Sequence, residues 1–193
     1  MAISRTFYAA ALVLLSGLGI ASCITPPSYP ETPEISFKSI SQEQRINDLG
    51  APFNNVSIVV SYKDGDGDLG LRANDTLPPF NTYTRVNKQK IFNPDGYNYM
   101  CQMQVRQAGN VFRDVAATTD PAGLNGRFPR LTPDAQGDRK LPLEGDMTLD
   151  LPITVGLNPD LQPGAVVRFR VLIKDRALNE SNEILTDPIT LPL

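Results

Sequence analysis

The sequence contains no histidine and no tryptophan, and only two cysteines in 193 residues. Imidazole is the commonest general base and a leading zinc ligand, so Ser-His-Asp hydrolysis, Cys-His chemistry and His-ligated zinc are excluded outright. A strong excess of one charge is missing too. Eighteen basic residues stand against twenty-one acidic ones for a net of −3, and Arg5 is the sole charge among the first 22 residues, so the remainder holds 17 against 21, a net of −4. That balance provides no basic footprint for nucleic acid or anionic lipid. Amphipathic helical periodicity and internal repeats are likewise missing. What the chain has in quantity is punctuation: 17 prolines and 14 glycines break it into short segments, as in an all-β domain and unlike a helical bundle.

The one long apolar run lies at the start. Arg5 precedes 14 residues from Phe7 to Ile20, short of the roughly 20 that a spanning helix needs, and small residues follow in place of a charge cluster. This is the pattern of a cleaved signal peptide. Its last four residues, Ile20-Ala21-Ser22-Cys23, resemble a bacterial lipobox. The resemblance implies cleavage before Cys23 and lipid on that cysteine, which fastens the protein to a membrane. Several acyl chains, at about 0.8 kcal/mol per buried methylene, make such attachment effectively permanent. In lipoproteins of this kind Ile24 in place of Asp favours the outer membrane, and a first acid as late as Glu31 favours its periplasmic face. The reading divides the chain into a signal peptide (1–22), a lipidated cysteine with a proline-rich tether (23–33), and one domain (34–193). With Cys23 lipidated, Cys101 has no intrachain partner and is expected as a buried thiol.

Period-two alternation recurs through that domain. Val56, Ile58, Val60 and Tyr62 form one stripe. Met147, Leu149, Leu151, Ile153 and Val155 form a second, in which Pro152 predicts an edge strand or a bulge. Tyr99, Cys101, Met103 and Val105 form a third, and Val167, Phe169, Val171 and Ile173 the clearest. Weaker strands are expected at Ile35 to Ile40, Tyr83 to Ile91 and Glu183 to Leu191. Gly109-Asn110 marks a tight hairpin, and Thr118 to Lys140 a long irregular loop. Seven or eight strands in a domain of this length predict a two-sheet antiparallel sandwich of immunoglobulin-like type, with a small barrel as the other all-β solution.

The motif with definite chemistry is Asp64-Gly65-Asp66-Gly67-Asp68-Leu69-Gly70, directly after the Val56 stripe. Carboxylates at alternate positions, separated by glycines, let a short loop curl its oxygens around one hard cation. Calcium, with its loose all-oxygen shell, suits such a loop better than magnesium. The spacing begins like an EF-hand and departs at once, with Leu69 where the turn glycine belongs. Instead, Tyr62 to Gly70 resembles a strand-plus-acidic-loop motif of Bacteroidetes lipoproteins, relatives without a settled activity. A second matching segment runs from Ile173 to Asn182. In an immunoglobulin-like sandwich the loop after the second strand and the loop before the last strand emerge at the same end. That topology predicts a calcium shell built from Asp64, Asp66, Asp68, Asp175, Asn179 and Asn182; the alternative is a solvated Asp-Gly turn.

The expected function is therefore a non-catalytic, lipid-anchored envelope module, stabilised by calcium, that binds an envelope protein or a glycan. Tyr97 and Tyr99 are the aromatic candidates for a glycan platform. The alternative is a small carboxylate-dependent polysaccharide hydrolase using a pair such as Asp146 with Asp150 or Glu180 with Glu183. Asp75-Thr76-Leu77 also resembles a short O-glycosylation motif of Bacteroidetes.

Overall fold

The computed structural model describes residues 27–116, 120–132, 137 and 139–192. The signal segment, Cys23 and Ile24 to Pro26 lie outside the described residues. The described residues form ten strands: β1 (Glu34–Ile46), β2 (Pro52–Asp64), β3 (Tyr83–Val86), β4 (Gln89–Phe92), β5 (Tyr99–Arg106), β6 (Phe112–Asp114), β7 (Leu143–Ile153), β8 (Val166–Ile173), β9 (Ile184–Leu185) and β10 (Ile189–Thr190). Among the described residues the only helical turns are two short 3-10 turns, Pro94–Gly96 and Ala108–Asn110.

Eight of these strands form an all-β, antiparallel two-sheet sandwich, and β3 and β4 pair with each other as a separate two-stranded sheet. One sheet has the order β1-β2-β7; the other runs β10-β8-β5-β6, with β9 also on β8. This is the arrangement of an immunoglobulin-like domain, with strands A, B and E facing G, F, C and C′. The four main alternation stripes form its interior. Val56, Ile58 and Val60 of β2 are fully buried, as are Val167, Phe169, Val171 and Ile173 of β8. Residues opposite one another across a ladder share a face. Hence Val56, Ile58 and Val60 meet Leu151, Leu149 and Met147 of β7, while Cys101, Met103 and Val105 of β5 meet Val171, Phe169 and Val167. The outward face of the first sheet is polar, with Ser57 and Ser61 opposite Asp150 and Asp146. Pro152 lies on β7, an edge strand of its sheet, the place in a sheet where a residue without an N–H is tolerated.

The weaker strand signals have specific causes. β1 carries a bulge between Phe37 and Ser39, so its inward residues fall at Ile35, Phe37 and Ile40, and strict alternation is lost. The strand nonetheless continues to Ile46. Tyr83 to Ile91 is not one strand but the β3–β4 hairpin, turned by Asn87 and Lys88 at positive φ. The last segment is split into β9 and β10 by Asp187 and Pro188. Cys101 is buried as a free thiol, and burial pushes its pKa up to about 12.

Candidate metal centre

β1 and β2 pair with Glu34 opposite Lys63, so the start of the domain and the acidic loop share one end of the sandwich. β8 runs toward the same end, because Ile173 stands opposite Tyr99 and an isolated bridge joins Leu69 to Asp175. The loop after β2 and the loop after β8 therefore meet. Two features of the acidic loop fix its path. Leu69 is fully buried in the core and clips the loop to the sandwich. Gly67 adopts φ +73°, a left-handed conformation in which a Cβ would also press on the carbonyl oxygen of Leu141.

Within this frame Asp64, Asp68 and Asp175 each place a carboxylate oxygen within 4.8 Å of the other two. Asp64 is fully buried and Asp175 nearly so. Hydrogen bonds hold one side of Asp64 and of Asp68 and both oxygens of Asp175. The amide of Asp68 donates to Asp64 Oδ2 at 3.0 Å. Backbone amides of Arg176 and Ala177 donate to Asp68, joining the two loops. Asn179 donates to Asp175 twice, from its backbone amide at 2.8 Å and from Nδ2 at 2.7 Å. The other side is left open: Oδ1 of Asp64, of Asp66 and of Asp68 is buried without a hydrogen-bond partner.

The electrostatics follow from this crowding. Burial first, then the charges of Asp66 and Asp68, raise the Asp64 carboxyl to a pKa of about 7. Asp68 rises to about 6 through burial and then through Asp175 and Asp66. Burial also raises Asp175. The nearby cation Lys140 lies to one side, 3.2 Å from Asp66 and 2.9 Å from Glu31.

A buried polar atom without a partner demands an explanation, and a bound ion is one of the few available. Hard oxygens from Asp64, Asp68 and Asp175, with Asp66 beside them, form a donor set suited to calcium. Asn179 stands behind Asp175 and orients it. Asn182 does not join the group. Its side chain clasps β1, accepting from the Ile35 amide and donating to the Ile35 carbonyl, both at 2.8 Å.

The other sequence candidates have different surroundings. Tyr99 is 2% exposed and belongs to the core. Tyr97 packs against Phe92, with ring centroids 5.5 Å apart, and Phe92 against Tyr83 at 6.2 Å. Asp146 is held by Lys38 and Ser61, and Asp150 by Ser57. Glu180 pairs with Lys174, and Glu183 with Arg170.

Sequence reasoning missed the segment ahead of β1. Residues Tyr29 to Pro33, expected as free tether, pack on the fold: Pro33 is fully buried, and Gly65 N–H donates to the Pro30 carbonyl at 2.8 Å. Proline-rich composition suggested only a linker; the signal that marked this contact is Gly65, where any Cβ would lie 2.6 Å from Pro30 O. No protein-family model, no curated protein and no solved structure matches the chain, so its function has to be read from this geometry.

Proposed function

We propose that this chain is a non-catalytic module of the bacterial cell envelope, anchored by lipid on Cys23 to the outer membrane, facing the periplasm, and stabilised by one calcium ion held between the β2–β3 and β8–β9 loops. A single observation carries the calcium reading: buried carboxylate oxygens of Asp64, Asp66 and Asp68 have no partner while three carboxylates converge within 4.8 Å. In water-poor surroundings these like charges repel, and a divalent cation removes the repulsion and satisfies the lone pairs together.

The role supported for the ion is to join two loops at one pole of the sandwich. Support for the non-catalytic reading comes from the carboxylates outside the cluster. Asp146, Glu180 and Glu183 are each held in an ion pair, and Asp150 accepts from a serine hydroxyl, so these carboxylates are tied to surface partners. Module function then consists of presenting the sandwich surface to an envelope protein or a glycan.

Calcium titration with thermal melting tests the ion. Binding to the native state alone contributes about 2.7 kcal/mol at a hundredfold excess over Kd. For a domain of this size that raises Tm by roughly 5–10 °C, and a Tm unmoved by millimolar calcium would remove the ion from the proposal.

A further inference from the structure

We propose that the acidic pole of the sandwich is its membrane-facing surface, held against the lipid surface by the segment Tyr29 to Pro33, which docks on the acidic loop and leaves only a short leash to Cys23. This rests on the lipid anchor at Cys23 proposed above and does not depend on the ion.

Four contacts bind the segment to the pole. Gly65 N–H donates to Pro30 O, Tyr29 Oη donates to Glu144, the Lys63 ammonium sits 5.3 Å from the centre of the Tyr29 ring, and Lys140 bridges Glu31 and Asp66. The missing side chain of Gly65 makes the approach possible. With Pro33 buried and Glu34 opening β1, the chain is part of the fold from Tyr29 onward.

The remaining leash is short. Tyr29 stands six residues after Cys23, so even a fully extended chain places it within about 20 Å of the lipidated residue. The 13 residues of β2 span about 43 Å at 3.3 Å each, so the opposite pole, with the Asn47 to Ala51 turn, stands well beyond reach of the lipid. A tether free as far as Pro33 would let the domain tumble. A strap docked from Tyr29 brings one pole down and points the other outward.

The test uses the full-length protein, lipidated in a bacterial host and reconstituted into phosphatidylethanolamine–phosphatidylglycerol vesicles with an acceptor dye on a headgroup. A donor dye is placed at the acidic pole through Ala177→Cys, or at the opposite pole through Asp48→Cys; both positions are exposed, whereas Cys101 is buried. Energy transfer is expected to be several-fold higher from the Ala177 position. Releasing the strap with Gly65→Ala, or with Tyr29→Ala and Glu31→Ala together where the first variant folds poorly, is expected to erase most of that contrast. Equal transfer from the two positions in the unmodified strap overturns the orientation. Protein that fails to float with the vesicles at all overturns the anchor beneath it, a separate and visible result.

Discussion

At the scale of single residues, Asp64 carries the most weight. Its carboxylate is fully buried, it has one oxygen hydrogen-bonded and one without a partner, and its pKa lies near 7 because of burial and of Asp66 and Asp68. Replacement by asparagine keeps the shape and removes the charge. In chelator at alkaline pH, Asp64→Asn is expected to be more stable than the parent by roughly 1–3 kcal/mol, the cost of an unsatisfied buried polar group. Calcium should then produce little or no further rise in Tm. Opposite shifts in the two conditions separate ion binding from general damage. The pH response follows from the same group. A carboxyl whose folded pKa exceeds its unfolded value, about 3.9, binds its proton more tightly in the native state. Metal-free protein therefore has its full stability from this group below the unfolded value and loses it as pH rises through the folded pKa of about 7. Melts in chelator from about pH 5 to pH 8 are expected to show falling Tm. With calcium the slope reverses, because the ion displaces the proton and binds better as pH rises.

At the scale of elements, the acidic loop depends on its apolar clip as much as on its acids. Leu69 is fully buried and bridges to Asp175, so the loop after β2 is registered against the loop after β8 through the core. Leu69→Ala removes a core side chain, at about 2–5 kcal/mol, and also frees the loop. Urea unfolding is expected to show that loss, and calorimetry a weaker calcium affinity even under conditions where the variant remains folded. If the affinity were unchanged, the clip would be structural alone. Lys174 supports the second loop in a comparable manner. Its ammonium group, nearly buried, lies 3.0 Å from Asp95 and 3.2 Å from Glu180, tying the β8–β9 turn to the Pro94–Gly96 turn.

At the scale of the whole molecule, the sandwich has two unlike poles. One gathers the acidic loop, the β8–β9 loop and the Tyr29 to Pro33 strap; the other carries the β1–β2 turn, where Leu49 is 93% exposed. The proposed anchor at Cys23 would make this polarity consequential, because the docked strap would bring only one pole near the lipid. Cys23→Ser removes the thiol proposed to accept lipid, and the variant is expected to leave the membrane fraction for the soluble fraction of the envelope on fractionation. Retention of the serine variant in membranes would show that another part of the molecule holds it there.

Much of this was legible in the amino-acid sequence. Alternation at period two located β2, β5, β7 and β8, because a strand with one face on the core writes that face into every second residue. Asp64, Asp66 and Asp68 were visible as a local motif, and Asp175 followed from the topology that such strands imply. Missing histidine had already excluded whole classes of chemistry. Tertiary structure alone decided three things. It turned Asn182 away from the cluster to serve the Ile35 backbone, since which edge lies beside a loop is a matter of packing and not of spacing. It folded a proline-rich segment onto Gly65, a contact between residues far apart in the chain and marked locally only by a glycine. And it left three carboxylate oxygens buried without partners, because satisfaction of a polar atom depends on everything around it, which no linear pattern records.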